Sequence, residues 1–548
     1  RLPIALLGCR SASNSWVVAP RKTGLTGPLL ANDPHMDASK IPGDFYLIHA
    51  RTNEVELAGG QVAGVPFIAM GYNRHAAWGV TNQGADVVDV FIETVDWEKM
   101  TYRSGEKELP LTAREVTIAI KGKPPLHKTL YYAGRRPLLN GVFPDLKMDV
   151  SIDWAGFESK GHFSGFLALN RASNHAEFSA AAKRIQMSPQ NMVYADSAGN
   201  IAYRTVGTLL DRVAGSGNFP QPAQERAANW KGLLDPGLNP AALNPPEGFI
   251  ASANNRVVRD FPYEMNGTFA PRFRYERIAQ LLRASDRIDA DAGMQMQSDT
   301  RSVLALRMIP VMQQLIRVPE GSPAESALKR VTSWDGDIRP ELVEPSIYNT
   351  WLIRFMYQTF KDELGEELAA SYVSERYIVL ERFLELMRTD SSFFDDAATP
   401  ARETPSDIAS RAFLETLEIL ADYTGSADFQ QWQWRKLHQI RFDHLLGKSK
   451  FLRPLVNRGP YPMGGDGETN LRALFSQIQP PYTTVLAAGL RMVVAFDPQP
   501  TGHMVLITGQ NEYFLSEHYD DMTALWLQGK YFAVEDTQAR YQTVMQPD

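Results

Sequence analysis

The apolar pattern of this chain changes period along its length, and that feature most narrows the folds open to it. Residues 14–93 carry short apolar runs at 16–19, 28–31, 45–50 and 87–92, punctuated by Gly, Asn and Pro. This is the signature of strands separated by turns. Similar runs occur at 115–120, 192–195 and 201–204. Between 165 and 186 the period becomes helical, with Asn174 as an N-cap before a Phe178/Ala181/Ala182/Ile185 stripe. From about 275 to 430 the signal is helical, with stretches at 277–282, 324–334, 346–364 and 369–387. Strand character returns at 492–496 and 504–507. Strands at both ends with helices between them predict an α+β layered arrangement. Pro220, Pro222, Pro236, Pro240, Pro245 and Pro246 mark 215–248 as a long surface excursion.

Composition excludes several function classes. The 44% apolar and 22% charged content is globular, and 548 residues leave room for two to four domains or one large layered one. Lys+Arg 56 against Asp+Glu 63 gives a net charge of −7 with no basic block, which excludes a nucleic-acid partner. No apolar run reaches the roughly 18 residues of a membrane span. Cys9 is the one cysteine, so there is no internal disulfide, zinc ribbon or iron–sulfur cluster. The Leu-Leu-Gly-Cys of residues 6–9 imitates a lipoprotein signal. Its apolar stretch of about six residues is shorter than the roughly 7–15 a signal core needs. Residues 1–12 are therefore expected to be the end of an upstream segment.

The common catalytic signatures are missing: there is no Gly-x-Ser-x-Gly elbow, no P-loop and no His-Glu-x-x-His. Unusual polar sequence is densest between Ser13 and Asp89. There, Ser13-Asn14-Ser15-Trp16-Val17-Val18-Ala19 is followed by Pro28-Leu29-Leu30-Ala31-Asn32-Asp33-Pro34-His35. Next come Asn73-Arg74-His75-Ala76-Ala77-Trp78-Gly79 and Asp86-Val87-Val88-Asp89. Further along lie Pro189-Gln190-Asn191, Ala253-Asn254-Asn255-Arg256, Trp334-Asp335-Gly336, Leu437-His438 and Gly465-Asp466-Gly467-Glu468. In this order, over nearly the whole chain, these blocks resemble the β chain of the penicillin and cephalosporin acylase family, which includes acyl-homoserine-lactone acylases.

The resemblance implies the N-terminal-nucleophile fold, an αββα four-layer sandwich. Its core is expected mainly at 13–274 and 430–548, with a helical insertion at 275–430. Ser13 then becomes the nucleophile once precursor cleavage frees its α-amine to act as base, because a serine hydroxyl alone is a weak nucleophile. The residue before it is usually Gly in the family and is Ala12 here. His35 is implied to relay or orient protons, with Glu468 as its carboxylate and Asp466 as the competing candidate. The resemblance assigns the backbone N–H of Asn82 and the side-chain amide of Asn254 to the oxyanion. It places Arg274 at the substrate pocket. Asp86, Val88 and Asp89 are the implied ligands of a structural Ca²⁺, and no organic cofactor is implied.

Each residue also has a plainer reading. Ser13 would be a cap or turn serine and His35 a structural histidine. Glu468 would be a solvated turn carboxylate, Asn254-Asn255 an Asx turn, Arg274 a surface helix cation, and Asp86 and Asp89 strand-edge carboxylates. The expected activity is hydrolysis of a β-lactam-type or related N-acyl amine through a serine acyl-enzyme. The alternatives are N-acyl-homoserine lactone hydrolysis and a non-catalytic, unprocessed homologue that only binds acyl amides. The resemblance further implies a separate α chain from the same precursor and a periplasmic or secreted location.

Overall fold

The computed structural model describes residues 12–534, apart from 54, 144, 161, 187, 213–216, 225–229, 264, 390, 391 and 398. Most of the expected upstream tail, Cys9 included, lies outside the described residues. Two seven-stranded sheets form the centre. The first runs Phe249–Ser252, Ala12–Val18, Leu29–Asp37, Leu490–Phe496, Pro500–Leu506 and Phe532–Ala533, with Leu486–Ala488 also on Leu29–Asp37. The second runs Ala241–Leu243, Ile201–Val206, Gln190–Asp196, Ala76–Asn82, Met70–Asn73, Glu56–Val62 and Phe45–Arg51. The strand pairs within both sheets are antiparallel.

The unbroken apolar runs of the first sheet follow from burial on both faces. Side chains alternate along a strand. Val17, Leu30, Met492 and Val494 therefore pack between the sheets with Ala77 and Met192. Their neighbours Trp16, Val18, Leu29, Ala31, Val493 and Ala495 pack outward on Ile278, Ala279, Leu282 and Met296. Those last residues belong to the helices Phe273–Ala284 and Ala290–Gln297. Helices His162–Leu169 and His175–Lys183 cover the second sheet through Phe166, Leu169, Phe178 and Ala181. Asn174 caps the second of these by accepting the Glu177 N–H at 3.0 Å. Four layers result, as the resemblance implied.

Two boundaries differ from the sequence reading. The insertion was expected from 275, but the first two helices of that stretch are the outer layer of the sandwich. A separate helical core begins at Val303–Leu315 and is built around Trp351, Phe355, Phe383, Phe413 and Trp434. The helix expected over 369–387 is two, Glu366–Ser374 and Arg376–Leu386. No Gly or Pro interrupts it. Contacts beyond the break hold the change of direction: Arg376 donates to the Gln477 carbonyl at 3.3 Å and lies over the Phe475 ring, and Tyr377 is bonded by Arg274. No helix among the described residues is long and apolar enough to cross a membrane.

One buried amide joins the sheets. Asn32, on Leu29–Asp37, accepts the Val80 N–H at 3.0 Å and donates to the Val80 carbonyl at 3.0 Å. The same amide donates to the Asn14 carbonyl at 2.8 Å. Gly79 makes this approach possible, since a Cβ there would come 2.9 Å from the Asn32 Cβ. Asn32→Ala strands buried donors and acceptors between the sheets and should cost roughly 2–4 kcal/mol of stability. The midpoint of chemical denaturation measures this, and an unchanged midpoint would show that the two sheets do not rely on the amide.

Candidate active site

Ser13 is the second residue of the strand Ala12–Val18, and its register sorts the site residues by face. Ala12 pairs with His35, Ser13 with Pro34 and Asn14 with Asp33. Directly opposed residues point to the same side of a sheet. Ser13, like Ser15 and Val17, is on the side of the second sheet. Asn14, Asp33 and His35 are on the helix side with Trp16. The Ala12–Ser13 peptide is continuous with the strand, so the Ser13 nitrogen is an amide here, and the Ser13 hydroxyl donates to the Ala12 carbonyl.

Asn254 follows the strand Phe249–Ser252 with a φ of 66°, in the left-handed region that Asn enters more readily than most residues. Its Oδ1 accepts the Ser13 N–H at 2.7 Å and Arg274 Nη2 at 3.1 Å. With two donors on that side, the amide turns its NH₂ the other way, onto the Asn82 carbonyl at 2.9 Å. Asn255 instead bonds local backbone, accepting the Ala253 N–H at 3.1 Å. The local-turn alternative for this pair therefore falls on Asn255.

Arg274, at the start of Phe273–Ala284, has no exposed surface. It donates to the Ser13 carbonyl at 3.0 Å, Asn14 Oδ1 at 2.6 Å and the Tyr377 hydroxyl at 2.9 Å, besides Asn254. Burial rules out the surface-cation alternative. Beside it opens a cleft of about 450 Å³, lined by Met36, Asp37, Arg376, Tyr377, Arg472 and Leu486 among others. Tyr377, which Arg274 bonds, connects the guanidinium to this cleft.

The expected His35–Glu468 hydrogen bond is not made, which corrects the sequence reading. His35 Nε2 lies 2.8 Å from Asp33 Oδ2, and Asp33 also accepts from Asn14 at 2.9 Å and Gln297 at 3.2 Å. Asp33 and His35 are two apart on one strand and share a face, whereas Glu468 arrives on a loop. The pKa of His35 is lowered. Burial, with the nearby charges of Arg274, Arg472 and Arg491, holds it well below its ordinary value. Burial pushes Asp33 up to about 8. Both directions disfavour charge on the pair. Glu468 is buried with neither oxygen hydrogen-bonded, and burial raises it to about 7 against the pull of Arg274 and Arg472. Asp466 accepts the Glu468 N–H at 2.7 Å and is raised to about 6 by burial.

The expected calcium ligands are differently engaged. Asp89 is ion-paired with Arg212 at 2.9 Å, and Asp86 Oδ1 accepts the Val88 N–H at 3.0 Å. These residues do not fit a cation site, and among the described residues no group of three or more His, Cys, Asp or Glu is placed to hold a metal ion. The sequence reading also missed Asp33, Asn14, Gln297 and Tyr377. For Asp33 a signal existed, because the i, i+2 spacing from His35 on a strand puts both on one face.

Residues 3–543 match the Penicillin amidase family. An acyl-homoserine lactone acylase QuiP of Pseudomonas aeruginosa is 28% identical over 96% of this chain and 67% of its own length. A penicillin acylase 2 proenzyme of a Pseudomonas species is 27% identical over 94% of this chain and 66% of its own. The chain thus spans about two thirds of the length of these relatives. The thermostable penicillin G acylase of Alcaligenes faecalis superposes with a TM-score of 0.75 at 19% identity, covering 98% of this chain and all of that one, and so shares the fold.

Glu468 gives a pH test. Its folded pKa of about 7 lies above its ordinary 4.5, so its contribution to stability is complete below that ordinary value and is lost as pH rises through about 7. Glu468→Gln removes that loss. Relative to the parent, the variant should gain up to roughly 3 kcal/mol between about pH 5 and pH 8. Denaturation at the two pH values checks this, and parallel curves would mean that Glu468 ionises freely.

Proposed function

The chain belongs to the penicillin amidase family, and on that footing we propose that Ser13 is its nucleophile, freed by cleavage of the Ala12–Ser13 bond. The chain is an acylase, an amide hydrolase, as its named relatives are. The observation that carries the assignment of Ser13 is the Asn254 amide, which joins the Ser13 nitrogen on one side to Asn82 on the other. One side chain thus lies at the nucleophile and beside the second candidate oxyanion donor.

Cleavage itself has a suitable geometry. The Ser13 hydroxyl is bonded to the carbonyl it would attack, so an acyl shift from nitrogen to oxygen would break the Ala12–Ser13 C–N bond, free the α-amine and leave an Ala12 ester, which water would hydrolyse to the Ala12 carboxylate and the Ser13 hydroxyl. An α-amine titrates near ~8 in a peptide. The amine takes the hydroxyl proton as the oxygen attacks the substrate carbonyl. Asn254 Nδ2 and the Asn82 N–H receive the oxyanion. Collapse transfers the proton to the leaving amine, and water then hydrolyses the ester.

The substrate class is a linear N-acyl amine. The β-lactam reading rests on the resemblance and on relatives such as the Escherichia coli penicillin G acylase, 27% identical over 65% of this chain. An N-acyl-homoserine lactone is the second reading, favoured by the 96% of this chain that aligns with the acylase of that name. We further infer a partnership with a separate α chain and a periplasmic or secreted location, both supported by the family resemblance alone. The non-catalytic alternative, motivated by Ala12 before the serine, predicts an uncleaved chain.

Mass spectrometry of the expressed precursor should find Ser13 at a new N-terminus. Ser13→Ala should abolish both that cleavage and turnover on a panel of phenylacetyl, glutaryl and medium-chain acyl amides. Retained turnover would move the nucleophile elsewhere. Asn254→Ala should lower turnover by about 10²–10³ through loss of one preorganised donor. A large effect from Asn255→Ala with a silent Asn254→Ala would reverse the roles of the pair.

A further inference from the structure

The Asp86–Asp89 segment carries a buried charge arrangement that catalysis does not use. Asp89, on the strand Val88–Glu93, is nearly inaccessible, and so is the guanidinium of Arg212. Arg212 Nη2 donates to Asp89 Oδ1 at 2.9 Å and Nε to Oδ2 at 3.4 Å, so both carboxylate oxygens are engaged. The Trp230 indole N–H also donates to Oδ2. Arg212 Nη2 reaches the Asp86 carbonyl as well, at 3.2 Å. Gly217, at a φ of 73°, closes the pair, because a Cβ there would come 2.2 Å from Asp89 Oδ1 and 2.7 Å from Arg212 Nη2. The Asp86 carboxylate accepts the Val88 N–H at the start of that strand, at 3.0 Å.

We propose that the Arg212 guanidinium takes the place of a structural cation at Asp86–Asp89, so that this protein holds the segment together with no metal. Both jobs a divalent ion would do here are already done. The positive charge neutralises a buried carboxylate, and the N–H groups bridge Asp86 and Asp89 as coordination bonds would. Arg212 belongs to the strand Leu210–Arg212, paired with Trp230–Leu233, and Trp230 contacts the same carboxylate. The clamp therefore ties that strand pair to the strand Val88–Glu93. A planar guanidinium suits the role because two parallel N–H groups match a carboxylate.

Thermal melting of the intact protein tests the proposal, with and without EDTA and with millimolar Ca²⁺. The expected result is one melting temperature under all three conditions and no stoichiometric calcium by elemental analysis. Melting that falls on chelation, or one bound calcium per chain, overturns the proposal. Arg212→Ala should melt several degrees lower than the parent and should be raised by Ca²⁺, because it exposes Asp86 and Asp89 to a cation. Arg212→Ala melting like the parent overturns it, and so does an equal calcium response in the two proteins. If Arg212→Ala does not accumulate, Arg212→Lys serves in the same comparison, since it keeps the charge but cannot engage both oxygens in a planar fork.

Discussion

A guanidinium with no exposed surface organises the site. Taking Arg274 out of water is unfavourable unless its N–H groups find acceptors. The acceptors it finds are the Ser13 carbonyl, the Asn14 and Asn254 amides and the Tyr377 hydroxyl. These come from the first sheet, from the turn after its edge strand and from the helical insertion. Asn254 is oriented by the same contact: once its oxygen accepts from Ser13 and Arg274, its NH₂ can only face Asn82. The break between Glu366–Ser374 and Arg376–Leu386 belongs to the same arrangement, since it delivers Tyr377 to the guanidinium.

The first sheet divides the polar residues into two sets. On the side of the second sheet lie Ser13 and Asn32, the latter holding Val80 by both its N–H and its carbonyl. On the helix side lie Asn14, Asp33 and His35, bonded to one another and to Gln297. Alternation along an extended strand enforces the division. It explains why His35, so near Ser13 in space through its pairing with Ala12, bonds Asp33 instead of the serine hydroxyl. In this arrangement His35 and Asp33 bond to each other on the strand that pairs with the one carrying Ser13.

Much of the fold was legible because its signals are local. Asn174 and the stripe after it gave a helix with its cap, and the runs at 16–19, 28–31 and 492–496 gave strands. What escaped reading depends on packing between distant segments. The helices Phe273–Ala284 and Ala290–Gln297 have the same period whether they cover a sheet or join an insertion, and only Trp16, Leu29 and Val493 beneath them decide. The continuous period at 369–387 likewise hides a break that is held from outside.

By itself the sequence determined the order of strands and helices and the family. These reside in periodicity and in blocks of adjacent residues. The tertiary structure alone decided the partners of the charged groups. Asp33 rather than Glu468 meets His35, and Arg212, 123 positions away, meets Asp89. The physical reason is that a buried charge takes whichever counter-group the strand register and the packed layers bring within hydrogen-bond distance. Residue type and spacing along the chain do not contain that distance.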